Sequence, residues 1–261
     1  MSAYPSTTPV LLVTFAVAVL LSGCHGGKPH FFDSDGVKLA YTVQGDGPTL
    51  VLVHGFQGTS VVHWALPGTI DLLSRNFRVV ALDCRGHGRS GKPMDREDYG
   101  EVMVEDVARL LDHLGEEQVY LAGFSMGAWI NLKFAATYPD RVRALAVAGG
   151  GWRDFNEKFL SEFPNSLILP FIHRRYRPRA FAACSAAFPD FQLTAEEVEA
   201  LPDGMLLIAG GLDFARPDIE RLAEARGDAQ FVVIPGTDHN GALFAPEFRE
   251  TLDAYFREKI P

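Results

Sequence analysis

The sequence predicts an α/β protein: a mostly parallel, twisted sheet with helices on both faces and a small helical cap inserted before the penultimate strand. Three observations carry this. Six short apolar runs recur along the chain without polar–apolar alternation: Leu50–Val53, Phe77–Leu82, Val119–Ala122, Ala144–Ala148, Met205–Ala209 and Phe231–Ile234. Runs apolar on both faces suit parallel strands covered by helices on each side. Between them lie segments of helical periodicity, so strand and helix alternate. One run also passes straight into Gly123-Phe124-Ser125-Met126-Gly127 and then a helix-like stretch, Ala128–Ala135. The flanking glycines let such a strand bend sharply into a helix and push the serine out at the C-terminal edge of the sheet.

The elements follow in chain order. Phe31–Asp33 and Val37–Val43 flank Ser34-Asp35-Gly36, and Asp-Gly between two such runs signals a hairpin. The runs Leu50–Val53 and Phe77–Leu82 are the next strands. Met103, Val107, Leu110, Leu111 and Leu114 recur at helical spacing, with Gly115 as C-cap. After Val119–Ala122, the helix that follows the serine runs to Tyr138, where Pro139 stops it. From Trp152 to Pro202 the alternation breaks. The stretch has no clear strand and carries Trp152, Phe155, Phe159, Phe163, Phe171, Tyr176, Phe181, Phe188 and Phe191. Lying between two strand-like runs, it reads as a helical lid over residues 152–202, most of its aromatics anchoring it and a minority facing substrate. Residues 31–151 and 203–261 form the core, and Phe248, Leu252, Tyr255 and Phe256 mark a closing amphipathic helix. With 261 residues, 47% hydrophobic and 22% charged, the chain is long enough for one large domain with a buried core.

The N-terminus reads as a targeting segment. Val10–Leu21 is uncharged and too short to span a bilayer as a helix. It ends in Leu21-Ser22-Gly23-Cys24, which resembles the lipobox of bacterial lipoproteins: a branched apolar residue, two small residues and the cysteine that receives lipid. The resemblance implies a signal peptide over residues 1–23, cleavage before Cys24, export, and a lipid anchor in the bacterial cell envelope. No Lys or Arg precedes the apolar run, which leaves an ordinary secretory signal as the other reading. Residues 24–30 form a Gly-containing tether. Export permits a disulfide between Cys84 and Cys184; two scattered cysteines are more often small buried thiols. The net charge of −9 argues against a nucleic-acid partner, since phosphate binding needs concentrated Lys and Arg.

The chemistry gathers after the strand-like runs. His54-Gly55-Phe56 follows Leu50–Val53, and Asp83-Cys84-Arg85-Gly86-His87-Gly88-Arg89-Ser90 follows Phe77–Leu82. Ser125 comes next, then Gly210-Gly211-Leu212-Asp213 after Met205–Ala209, and Asp238-His239 after Phe231–Ile234. A serine hydroxyl needs a base to take its proton as it attacks. His239 suits that role, and Asp213 suits the carboxylate that holds its tautomer. The oxyanion that forms needs backbone donors, one of them the Met126 N–H directly after the nucleophile. Asp203 and Asp218 are the weaker rivals for the acid, and an N-cap role is the rival for Ser125. His54 and His87 shape loops through hydrogen bonds, Arg85 ties neighbouring loops, and Asp83 and Arg89 are structural too. His63, His113 and His173 have no partner motif. Asp238 either raises the pKa of His239 or points to solvent.

In this pattern the chain resembles the α/β-hydrolase family from about Phe31 onward, least in the lid, and the order Ser, Asp, His is that family's order. The resemblance adds Phe56 as the second oxyanion donor. It implies hydrolysis of a small-molecule carboxylic ester through an acyl-enzyme and with no cofactor or metal; the aromatic lid suggests a partly apolar substrate of small to medium size. Thioester, lactone or carbon–carbon hydrolysis, acyl transfer and perhydrolysis stay open, as does a non-catalytic sensor on the same fold. The serine disfavours the relatives that use an aspartate nucleophile. The basic stretch His173–Arg179 reads either as a solvated lid face or as a contact for anionic substrate or lipid headgroups.

Overall fold

The computed structural model describes residues 27–156 and 178–260. Eight strands form one sheet: β1 His30–Ser34, β2 Val37–Gln44, β3 Thr49–Val53, β4 Arg78–Asp83, β5 Val119–Phe124, β6 Val142–Ala148, β7 Leu206–Gly210 and β8 Gln230–Ile234. Their spatial order is β1-β2-β4-β3-β5-β6-β7-β8. Only β2 runs against its neighbours β1 and β4; the pairs from β4 through β8 are parallel. The β1–β2 hairpin turns on Asp35 and Gly36, with φ of 54° and 77°. Both central residues therefore hold the positive φ that a type I′ turn requires.

The apolar runs failed to alternate because both faces of the sheet are covered. Val51 and Val53 of β3 join one core, Leu50 and Leu52 the other. On the first face lie α2 (Glu101–Leu114) and α3 (Met126–Thr137); on the second, α1 (Thr69–Leu73) and the later C-terminal helix pack. Gly115 ends α2 with φ 72°, as expected of a left-handed C-cap. Helix α3 is apolar around its circumference and nearly all of it is buried. That suits a helix enclosed on every side.

Between β6 and β7 the described residues form α4 (Pro178–Ala186), a short 3₁₀ turn Phe188–Phe191 and α5 (Ala195–Glu199). Phe155, Phe181, Phe188 and Phe191 are buried, and Phe155 and Phe188 pack edge-on against Trp129 of α3. Trp152 donates its indole N–H to the Leu193 carbonyl at 3.1 Å. Phe155 and Phe188 anchor the insertion on α3, Phe181 packs on Phe56 and His87 of the core loops, and Phe191 lies against Phe188. Phe159, Phe163, Phe171 and Tyr176 lie outside the described residues, as do the signal segment, Cys24 and most of the basic stretch His173–Arg179. The chain ends with α6 (Arg216–Ala225), α7 (Gly241–Phe244) and α8 (Pro246–Glu258). Helix α6, absent from the sequence reading, is short and buries only Ile219 and Leu222 in its interior, too sparse a stripe to stand out.

The sheet order reverses at β3. From β3 the chain moves to β4 on one side, then returns to β5 on the other. Loops leaving the C-terminal ends of β3 and β5 therefore diverge and open a crevice, the place where open α/β sheets bind ligands.

Candidate active site

Ser125 sits in that crevice, in the turn from β5 to α3, with φ 54° and ψ −116°. A non-glycine residue held at this φ is strained, and its surroundings must over-determine it. The Ser125 N–H donates to the Ala148 carbonyl at 2.8 Å, and its own carbonyl accepts from Ala128 and Trp129. The flanking glycines serve differently from the sequence expectation. Neither has positive φ, so the bend is made at the serine. A Cβ on Gly123 would strike the Gly127 carbonyl, and one on Gly127 would strike the Val53 carbonyl. They are glycine because α3 lies directly on β3 and β5.

Asp213 and His239 reach the same point from the loops after β7 and β8. His239 Nδ1 donates to Asp213 Oδ1 at 2.8 Å, which leaves Nε2 to accept from Ser125 Oγ at 3.0 Å. Asp213 Oδ1 also accepts the Ala215 N–H at 2.8 Å, so the carboxylate caps the next segment while it orients the ring. Its side chain is 1% exposed, against 14% for His239. The imidazole lies between Phe124 and Phe214, with ring centroids 4.9 and 4.5 Å away. The rival acids are engaged elsewhere: Asp218 pairs with Arg153, and the solvent-exposed Asp203 with Arg226. Asp238 is exposed and accepts the Gly241 N–H at 2.7 Å, so it points to solvent.

The two expected oxyanion donors flank Ser125. Met126 opens α3, so its N–H is one of the four without an intrahelical acceptor. Phe56 follows Gly55, whose Cα lies so close to the nucleophile that an added Cβ would stand 3.0 Å from Ser125 Cβ. The Gly55 carbonyl accepts from His54 Nδ1–H at 2.8 Å and from the Gly58 N–H at 3.1 Å. In a trans peptide the N–H points opposite to the carbonyl. Pinning the Gly55 oxygen therefore aims the Phe56 N–H the other way.

A second group of polar side chains holds these loops. His54 Nε2 accepts the Cys84 N–H at 3.0 Å, joining the loops after β3 and β4. Asp83 Oδ1 accepts from Ser60 N–H and Oγ–H, and Oδ2 from the Arg89 N–H. Arg85 makes a bidentate pair with Asp106 at 2.6 and 2.5 Å and donates to the Asp98 carbonyl. Both partners are 2% exposed, so this ion pair ties the β4 loop to α2 out of reach of water. Burial lowers the pKa of His54, drives that of His63 well below its ordinary value and pushes His87 down to about 3. These rings are neutral hydrogen-bonding struts. His63, unassigned in the sequence reading, accepts the Gly55 N–H through Nδ1 at 3.0 Å. Its separation from Gly55 belongs to no motif, so nothing in one sequence reveals the bond.

Cys84 and Cys184 are both buried free thiols, and burial raises the pKa of each. Cys184, from α4, contacts the sulfur of Met126, the residue after the nucleophile, at 3.7 Å. An open cavity of about 660 Å³ lined by Asp112, Glu116, Glu117, Asp140 and Arg141 lies at the opposite end of β5 and touches none of the residues above.

The fold and this arrangement place the chain among known proteins. It has the α/β-hydrolase fold: the family model of that description matches residues 48–172. The chain is similar to a putative 2-succinyl-6-hydroxy-2,4-cyclohexadiene-1-carboxylate synthase of Bacillus subtilis (strain 168), 37% identical over 119 residues, which are 44% of this chain and 41% of that protein. The matched region thus spans less than half of that relative. Among solved structures, a carboxylesterase of the ammonia-oxidizing thaumarchaeon Nitrososphaera gargenis superposes with TM-score 0.76 at 22% identity, covering 88% of this chain and 98% of that one. A bacterial membrane phospholipase A superposes with TM-score 0.71 at 24% identity, covering 96% of each chain. At these identities the likeness is one of fold.

Proposed function

We propose that this chain is a serine hydrolase that cleaves a carboxylic ester through an acyl-enzyme. The observation that carries the reading is the continuous relay Ser125 Oγ to His239 Nε2 and His239 Nδ1 to Asp213 Oδ1, at 3.0 and 2.8 Å. In the proposed reaction Ser125 Oγ attacks the ester carbonyl carbon while its proton passes to His239 Nε2. Buried Asp213 holds the ring's tautomer and stabilises the imidazolium. The tetrahedral oxyanion takes hydrogen bonds from the Met126 and Phe56 N–H groups, each worth roughly 3 kcal/mol of barrier. Collapse expels the alcohol, which leaves with the proton from His239. A water then attacks the acyl-enzyme, giving its proton to His239, and the acid departs as Ser125 recovers its hydrogen.

The aromatic insertion over this edge of the sheet supports a substrate that is partly apolar and small to medium in size. We also propose that the chain is exported and lipid-anchored at Cys24, on the strength of Leu21-Ser22-Gly23-Cys24 at the end of the apolar run. Intact mass of membrane-extracted protein checks that part: a mature chain beginning at Cys24 with added acyl mass supports it, and an unmodified thiol at that residue removes it.

A fluorophosphonate probe and a panel of short and medium acyl p-nitrophenyl esters test the hydrolase reading. Wild type is expected to be labelled and to turn over esters, and Ser125→Ala to do neither. Labelling without turnover at any chain length would favour a sensor; turnover persisting in Ser125→Ala would end the proposal.

A further inference from the structure

We propose that His63 is a positioning residue for the oxyanion peptide: by accepting the Gly55 N–H, its Nδ1 sets the aim of the Phe56 N–H at the substrate oxygen. The inference deepens the serine-hydrolase reading and rests on Phe56 N–H being an oxyanion donor.

His63 lies in a π-helical turn, Val61–Ala65, directly after the loop that carries His54, Gly55 and Phe56. Such turns are rare, and the extra residue in them re-aims side chains, frequently at functional sites. Here the turn points an imidazole back at its own loop. A backbone N–H can only donate, so the 3.0 Å contact from Gly55 N assigns His63 Nδ1 as acceptor and puts the ring proton on Nε2. Burial keeps the ring neutral, so Nδ1 stays available. His54 has the opposite tautomer, donating from Nδ1 to the Gly55 carbonyl and accepting at Nε2.

Gly55 is thus held on both sides, its N–H by one histidine and its carbonyl by another. Gly55 has no side chain of its own to hold it, and none would fit, since an added Cβ would meet Phe124 and Ser125 at 3.0 Å. Its conformation therefore depends on these two rings. The His63 ring is itself wedged: its edge-on neighbour is Phe124 at 5.2 Å, and it lies flat against Gly58, where a Cβ would overlap three of its atoms. Gly58 therefore packs against the ring that holds Gly55, and its N–H also donates to the Gly55 carbonyl.

Two substitutions separate the ring's two nitrogens. In His63→Asn, the amide oxygen occupies the place of Nδ1; in His63→Gln, the terminal group occupies the place of Nε2 instead. The expected result with p-nitrophenyl butyrate is kcat within about threefold of wild type for His63→Asn. For His63→Gln and His63→Leu, kcat falls on the order of tenfold to a hundredfold with KM changed less than about twofold. Gly58→Ala, which displaces the ring without altering it, is expected to match His63→Leu. NMR-detected exchange of the Gly55 amide reads the bond without any reaction: protected in wild type and His63→Asn, fast in the other three. Equal Gly55 protection in all variants overturns the inference, as does rescue by Gln rather than Asn, which would assign the role to Nε2. If the exchange pattern holds and wild type hydrolyses no ester, the clamp on Gly55 stands and the hydrolase reading is what fails.

Discussion

Four histidines surround the crevice, and they divide between two regions of unlike character. The loops after β3 and β4 hold His54, His63 and His87, all buried and neutral, each bonded to backbone. The loops after β7 and β8 hold His239, partly exposed, between a carboxylate and a hydroxyl. The same imidazole is a strut in one region and a candidate base in the other. What differs is the company. Backbone partners and burial remove the charged form, whereas a carboxylate on one nitrogen gives a proton arriving at the other somewhere to be stabilised.

The two regions differ most at His239. Replacing it with Ala should lower kcat/KM by about 10⁴ to 10⁶ with little change in melting temperature, measured with p-nitrophenyl esters and thermal unfolding. Retained activity would move the base elsewhere, and collapse of the fold would make His239 one more strut. The opposite region should fail by unfolding. Asp106→Ala strands Arg85 in a dry site and should cost about 3–5 kcal/mol in urea unfolding. A loss under about 1 kcal/mol would mean water reaches the pair.

A gentler test is pH. His87 titrates at about 3 when folded against an ordinary 6.5. Below about 6.5 the unfolded chain binds a proton that the folded chain refuses, so stability is complete above that pH and is lost as pH falls toward 3. Between pH 7.5 and 5.5 this one ring should cost about 1.4 kcal/mol, with His54 and His63 acting in the same direction. His87→Asn should lose that much less over the same interval; an unchanged loss would show that other groups control acid stability. The smallest effect belongs to Asp238→Asn. Its exposed carboxylate caps Gly241, and both stability and ester turnover should stay within about 0.5 kcal/mol of wild type.

Much of this was legible in the chain. Every strand run read from the sequence is a strand here, with ends shifted by a residue or two: burial on both faces leaves unbroken apolar runs in the inner strands, and the Asp35-Gly36 turn marks the β1–β2 hairpin. Ser125, Asp213 and His239 were singled out because each follows such a run, and the structure brings their side chains into contact. The π-helical turn and α6 were not found, being too short or too thinly striped for periodicity to register. The roles of Gly123 and Gly127 were misjudged for a related reason. A glycine chosen for positive φ and one chosen for close approach look alike in sequence, and only the Val53 and Gly127 carbonyls beside them tell which is which.

The sequence by itself determined the alternation of strand and helix, the covering of both sheet faces and the edge at which the polar loops gather, since these follow from local periodicity and turn chemistry. Tertiary structure alone decided that Asp213 caps the next segment while it orients the ring, that the bend at the elbow is made at Ser125, and that His54 and His63 grip one glycine in opposite tautomers. Those are matters of backbone angle and hydrogen-bond partner, and the direction of a hydrogen bond exists only once both partners have a place in space.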